Sequence, residues 1–243
     1  IYFKDYQMNK EVEKLEGHVI VCGYGRVGTQ AVCELKAHDK KYVIIEQSND
    51  LLDSFRATKE HLFIEGNATS DEILEKAQIK TAQALITTLP SDADNLFVVL
   101  SAKEINPKLK IISRASQNST VKKLKIAGAS NVIMPDSLGG AHMASLVITP
   151  DVIEFLDHIT IQGNSKINLE EITFENIPET YKNKTIASIS QDFETGCNIV
   201  GYKTPEGEFI VNPKPSILLV PGSKLFVLGQ PEQINQINQI FGI

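Results

Sequence analysis

Apolar residues along this chain fall first into short continuous runs, at 18–22, 42–46, 62–65, 84–88, 110–113 and 131–134. Between them lie stretches with helical spacing, near 26–38, 48–58, 70–77, 91–104 and 117–127. Short unbroken runs alternating with helical segments predict β-α units and a parallel, doubly wound sheet. Six strands in this order make a complete Rossmann pair, with a ligand crevice at their carboxyl ends. The punctuation agrees. Ser91 and Asp94 have the spacing of a capping box, Pro107 follows a helix that stops at Asn106, and Gly128 stands where a helix ending at Ala127 needs a terminal glycine.

Beyond Met134 the pattern changes. Leu138, Ala141, Ala144, Ser145, Val147 and Ile148 fit a longer helix from Ser137 to about Asp157, which Gly139, Gly140 and Pro150 bend or break. It feeds no seventh strand and reads as a connector. After Ile159, strand-like stretches occur at 166–174, 197–203, 208–212 and 224–228, with a Pro205-Glu206-Gly207 turn between two of them. Helices are expected near 184–193 and 231–241, the latter with Ile234, Ile237 and Ile240 on one face. The fold class expected is α/β: a Rossmann-like doubly wound sheet, a crossover helix, then a small α+β domain. The boundaries are a lead at 1–16, a nucleotide-binding domain at 17–136, the crossover at 137–158 and the small domain at 159–243. So small a domain holds its own core only marginally, and dimerisation is expected of it.

The chemistry concentrates where the first run meets the first helix. Val19 to Cys22 lead into Gly23-Tyr24-Gly25-Arg26-Val27-Gly28, a G-x-G-x-x-G, and Val27, Ala31, Val32 and Leu35 come next at helical spacing. Strand, glycine turn and helix give this otherwise common motif its dinucleotide-binding meaning. The first glycine makes the turn, the second admits a pyrophosphate and the third lets helix pack on strand. The helix N-terminus offers free N–H groups and a positive dipole end. Glu46 ends the second run, 23 positions after Gly23, near the spacing of roughly 20 for an acid that accepts from ribose hydroxyls. A carboxylate there disfavours a 2′-phosphate, which speaks against NADP. Arg26 is either a phosphate ligand or a solvated first-turn side chain. Arg114, at the carboxyl end of the fifth strand, either grips phosphate or pairs with Asp92 or Asp94. Thr88 ends the fourth strand and faces the crevice.

Composition narrows the classes. The 243 residues are 42% hydrophobic and 22% charged, as in ordinary globular proteins. A net charge of −6 offers no basic field for nucleic acid. Cys22, Cys33 and Cys197 are scattered and odd in number, which points to a reducing compartment rather than a disulfide framework. No apolar run reaches the roughly 20 residues of a membrane helix. The sequence shows no signal peptide, no C-x-x-C and no H-E-x-x-H. The chain begins at Ile1 rather than Met, and 1–15 is aromatic first and charged later. That lead is expected to be a linker from a preceding element, or a frayed helix. An NAD-dependent oxidoreductase is the alternative reading. It needs an acid or base at the crevice, yet His18, His38, His61, His142 and His158 stand in no carboxylate motif, and a Y-x-x-x-K at Tyr6 and Lys10 precedes the first strand. A redox-sensing repressor lacks support from the acidic charge and from any helix-turn-helix pattern.

The chain resembles the RCK (KTN, or TrkA-N plus TrkA-C) regulatory module of prokaryotic potassium channels and Trk/Ktr-type transporters. The resemblance is carried by KLEGHVIVCGYGRVG (14–28), EGNATSDEIL (65–74), the stretch 85–115 with Asp92-Ala93-Asp94-Asn95, GASNVIMPDSLGGAHMA (128–144), VIEFLD (152–157) and PGSKLFVLGQPEQI (221–234). It implies a non-enzymatic module on the cytoplasmic face of the plasma membrane, itself soluble, that controls potassium flux. The implied ligand is an adenine nucleotide, NAD(H) or ATP/ADP/AMP. Gly23, Tyr24, Gly25, Arg26, Val27 and Gly28 would cradle its phosphates, Glu46 its ribose, Asn67 and Ala68 its adenine, and Thr88 and Arg114 would complete the site. The implied partners are a second copy, commonly within a ring of eight, and a membrane-embedded potassium pore, with the crossover helix carrying motion between domains. The lead before the first strand favours a channel with its pore in the same chain. Calcium-gated relatives carry carboxylates where this chain has Thr88, Arg114 and Ser116, so their calcium site is not expected here.

Overall fold

The computed structural model describes residues 8, 10–157, 159–160, 167–192 and 196–241. Tyr6, His158, Lys166 and Phe193, which belong to features expected from the sequence, lie outside the described residues, as does most of the lead at 1–9. The chain forms two compact units, residues 1–143 and 144–243.

In the first unit, β1 (Val19–Cys22), β2 (Tyr42–Glu46), β3 (Phe63–Glu65), β4 (Ala84–Thr87), β5 (Lys110–Arg114) and β6 (Asn131–Ile133) form one parallel sheet in the order β3-β2-β1-β4-β5-β6. Every residue of β1 is buried, because helices cover both faces of a parallel sheet. The helices are α1 (Arg26–Ala37), α2 (Asn49–Thr58), α3 (Asp71–Lys76), α4 (Asp92–Ile105) and α5 (Asn118–Ile126). The start of α4 is capped by a side chain: the Asp94 amide donates to Ser91 Oγ at 3.2 Å. Two cores result. Ile20, Val43, Leu85, Val98, Ile111 and Leu124 pack on one face, and Val21, Val32, Ile44, Leu52 and Phe55 on the other. The sheet order reverses between β2 and β4, with β1 in register with both: Cys22 sits beside Ile45 and beside Thr87. A crevice therefore opens above the ends of β1 and β4.

The connector is two helices, α6 (Pro135–Ile148) and α7 (Pro150–Asp157). Proline begins each, a position where its missing N–H costs nothing. The helix thus starts two residues earlier than its sequence pattern suggests, and it is interrupted at Thr149. Gly139 and Gly140 lie inside α6 without ending it. No α6 residue is buried, and Leu138, Met143, Leu146, Val147 and Ile148 are exposed.

The second unit holds β7 (Ile159–Thr160), β8 (Ile167–Thr173), β9 (Asn198–Lys203), β10 (Phe209–Val211) and β11 (Lys224–Gly229), in the order β10-β9-β11-β8-β7. The first four positions pair antiparallel, and the two-residue β7, which the apolar pattern of the sequence does not mark, runs parallel to β8. Burial alternates along β11, the mark of a sheet covered on one face. A 3-10 turn at Phe174–Asn176, α8 (Ile186–Asp192) and α9 (Pro231–Phe241) complete the unit. Its core gathers Ile172, Phe174, Ile189, Tyr202, Leu225, Ile234 and Ile237. Ile240 does not join them and is exposed. Two successive steps of three residues drift around a helix with 3.6 residues per turn, carrying the last isoleucine off the buried face.

His18 enters β1 fully buried, with Nε2 donating to the Ala77 carbonyl at 2.9 Å and Nδ1 without a partner. Burial pushes its pKa down; the Ala77 bond opposes this and nearby Lys41 reinforces it. The unfolded state then binds more protons than the folded state below about pH 6.5, so stability falls as pH drops through that value. Thermal unfolding by circular dichroism should show the melting temperature falling between pH 7.5 and 5.5. In His18→Gln that decline should be shallower.

Candidate nucleotide-binding site

The glycine turn is held by a few short contacts. Gly23 has φ +90°, a left-handed conformation that L side chains rarely adopt. Its amide donates to the Ile45 carbonyl at 2.9 Å. Thr88 Oγ1 lies 3.1 Å from both the Cys22 and the Gly23 carbonyl oxygens, tying the end of β4 to the turn. A Cβ on Gly28 would stand 2.0 Å from the Gly23 carbonyl oxygen, so the third glycine is a packing requirement of helix on strand. A Cβ on Gly25 would meet nothing within 4 Å and would point into open space. Gly25 caps α1 without a side-chain bond, and the first turn has no acidic residue. The amides and dipole of that helix end are left for an external anion.

Glu46 closes one side. Its Oε2 accepts from the Tyr24 amide at 2.7 Å, and its Oε1 from the Gln47 and Ser48 amides at 2.8 and 2.9 Å. The carboxylate is thereby fixed in place, joining the end of β2 to the glycine turn. A carboxylate has about four acceptor positions, so room remains for a hydroxyl donor.

Tyr24 turns its side chain away from the crevice. Its ring meets Phe55 edge-on at 4.8 Å, and its hydroxyl lies 3.2 Å from His61 Nε2. The Tyr42 hydroxyl lies 2.9 Å from His61 Nδ1. A neutral imidazole has one donor and one acceptor, so one tyrosine donates to it while the other accepts. Burial lowers the His61 pKa, with Lys36 adding to the effect and Glu60 opposing it, and burial raises both tyrosines. No sequence signal points to this brace behind the turn. His61 lies 37 positions from Tyr24 and meets it only across the folded sheet.

The floor is organised by buried Asn95. It accepts from Thr87 Oγ1 at 2.6 Å and from the Leu89 amide at 3.0 Å, and it donates to the Leu89 carbonyl at 2.9 Å. Asp92 instead reaches α5, accepting from the Ser116 and Gln117 amides at 2.7 and 3.1 Å. Burial works against its ionisation, but these bonds and those from the Thr120 and Ser116 side chains outweigh it and lower its pKa. Arg114 therefore pairs with neither Asp92 nor Asp94. Its Nη2 lies 3.7 Å from Oδ2 of Asp136, in the first turn of α6.

Together these elements enclose a cleft of about 990 Å³. Gly23, Gly25, Arg26, Val27, Glu46, Asn67, Ala68, Thr88 and Arg114 line it. Tyr24 and Gly28, also expected from the sequence, do not: one braces the turn from behind and the other packs helix on strand. Val27 and Ala31 face the cleft rather than the core, which receives Val32. Asn67 Oδ1 is engaged by the Thr69 amide at 3.0 Å, leaving its amide group for a ligand. Gln30, Glu34, Asp94 and Asp136 also line the cleft, unforeseen. Gln30 and Glu34 come after Arg26 at successive steps of four, so helical spacing alone would have found them. No histidine is among the described lining residues.

Comparison with known proteins agrees with this architecture. Residues 19–135 match the TrkA-N domain model and residues 169–242 the TrkA-C domain model. The chain is 34% identical over 241 residues to the probable potassium channel protein 2 of Methanocaldococcus jannaschii, covering 96% of this chain and 69% of that protein. It is 33% identical over 239 residues to potassium channel protein 1 of the same organism, covering 98% and 71%. The crystal structure of the GsuK RCK domain superposes with a TM-score of 0.50 at 25% identity, over 94% of this chain and 47% of that one. Six parallel strands around a glycine turn, a helical connector and a small antiparallel sheet are thus shared along nearly the whole length, and the chain belongs to the TrkA-N plus TrkA-C family of potassium-channel RCK modules.

Proposed function

We propose that this chain is a ligand-sensing module that controls potassium flux through a membrane pore, and that its ligand is an adenine nucleotide, NAD(H) or ATP/ADP/AMP, held in the cleft above β1 and β4. The observation that carries this reading is the uncapped α1 N-terminus beside a carboxylate fixed by three backbone amides. One end suits phosphate and the other a ribose diol. The fixed Glu46 carboxylate disfavours the 2′-phosphate of NADP. Arg26 and Arg114 supply the guanidiniums at the phosphate end, and Asn67 with Ala68 the adenine end.

Potassium transport as the process is inferred from the relatives, which are named as channel and potassium-uptake proteins. Among the described residues no helix is long and apolar enough to cross a membrane. The pore would therefore be supplied by a membrane segment outside them, in the same full-length protein on the cytoplasmic side of the plasma membrane. The exposed apolar residues of α6, with Val152, Phe155 and Leu156 of α7, are too many for a solvated helix pair. They suit a second copy, and rings of such pairs suit a pore. The domain scheme is a nucleotide-binding domain at 17–136, a crossover at 137–158 and a small domain at 159–243, with α6 and α7 transmitting the ligand's effect. Moving a pore from mostly closed to mostly open takes about 5.5 kcal/mol. Shared among eight modules, that is roughly 0.7 kcal/mol each, within reach of modest differential contacts in each cleft.

The glycine loop gives a clean test by titration calorimetry with NADH, ADP and ATP. Gly25→Asp adds a carboxylate where no protein atom is displaced. It should leave the melting temperature nearly unchanged and weaken every nucleotide by about tenfold or more, the scale of one charge-assisted contact. Unchanged affinity would remove the nucleotide from this cleft. Gly28→Ala should do the reverse first. Its methyl collides with the Gly23 carbonyl oxygen, and overpacking of this kind costs about 1–3 kcal/mol, read as a lower melting temperature before any ligand is added.

A further inference from the structure

We infer that Asp136 sets how much negative charge the cleft accepts, by partly occupying Arg114, and so makes the site favour a dinucleotide over a nucleoside triphosphate. The inference rests on the nucleotide reading above and adds to it a selectivity and a residue. Among the described residues, Arg26 and Arg114 line the cleft against Glu34, Glu46, Asp94 and Asp136. Two guanidiniums face four carboxylates. A pyrophosphate bridging two nucleosides carries about two negative charges, while a triphosphate carries about four near neutral pH. The second meets the larger repulsion in such a site.

Among the described residues, Asp136 alone of the four carboxylates, Asp94 included, makes an ion pair with a guanidinium of the cleft. Glu46 is held by the amides of Tyr24, Gln47 and Ser48. Glu34 accepts from Gln30 Nε2 at 3.3 Å, on the α1 side of the cleft. Asp136 stands against Arg114. The Arg114 side chain is 20% exposed while that of Asp136 is 81% exposed, and their atoms approach only to 3.7 Å. Arg114 Nε is buried without a partner. The guanidinium at the end of β5 is thus under-used as a donor and only loosely neutralised. An incoming phosphate competes with Asp136 for the Nη donors of Arg114. The cost of that competition grows with ligand charge, because Asp136 remains beside the phosphates after Arg114 turns to them.

Asp136→Asn is nearly isosteric and sits on the surface, so it keeps the fold. Calorimetry with adenosine, NADH, AMP, ADP and ATP, in buffer with a chelator and no added divalent cation, reads the effect. The wild type should bind NADH more tightly than ATP. Asp136→Asn should raise ATP affinity about three- to fivefold, the scale of one exposed ion pair, raise NADH affinity less, and leave adenosine unchanged. Asp136→Glu should keep the wild-type order. In an Arg114→Gln background the Asp136→Asn gain should vanish, as a double-mutant cycle requires of coupled residues. Equal gains for all ligands, an unchanged order, or a gain that persists without Arg114 would overturn the inference while leaving nucleotide binding standing. Failure of the wild type to bind any of the probes would overturn both.

Discussion

The close approach of Gly28 to the carbonyl of Gly23 sets the geometry of the whole cleft. With no Cβ in the way, α1 lies directly on the end of β1, and its free amides are brought to the point where the sheet order reverses. Thr88 then reaches the Gly23 carbonyl from β4, and Glu46 reaches the Tyr24 amide from β2. Three neighbouring strands thus converge on one turn through backbone groups. The turn is pre-organised before any ligand arrives, so a ligand meets donors and acceptors already in position rather than ordering them at its own expense.

Around that fixed turn the polar groups serve two separate ends. Asn95, Asp92 and the Tyr24–His61–Tyr42 brace spend their bonding capacity inside the protein, holding the floor and the back of the cleft. Arg26, Arg114 and the Asn67 amide face the open side. The second unit is built on other physics. Its sheet is covered on one face, its strands alternate, and its core draws on Ile234 and Ile237 of the last helix. Between the two, α6 at residues 135–148 is apolar and unburied.

Strands β1 to β6, helices α1 to α5 and the glycine turn were legible in the sequence because each signal is local: continuous apolar runs, helical spacing, Ser91 before Asp94, Gly128 after a helix. The cleft was legible to the same degree, in Gly23, Gly25, Glu46, Thr88 and Arg114. What the sequence hid depends on contacts distant along the chain. His61 between two tyrosines and Asp136 against Arg114 carry no spacing signal, since the sheet order alone brings them together. Tyr24 sits inside the motif yet turns away from the cleft to buried Phe55, a choice made by packing and not by the motif. The two-residue β7 is too short to leave a pattern, and Ile240 keeps a spacing of three that drifts away from the core.

On the proposed function, an adenine nucleotide in this cleft changes potassium flux. The most direct measurement is potassium flux from liposomes containing the full-length protein, pore included, titrated with NADH, NAD, AMP, ADP and ATP, with Gly25→Asp measured alongside. A saturable change in flux is expected with at least one of these ligands, over the concentration range in which the isolated chain binds it, and that response should be lost in Gly25→Asp. Flux that stays constant across every ligand, while the isolated chain binds them, would rule out nucleotide control of the pore and leave the nucleotide a purely structural occupant.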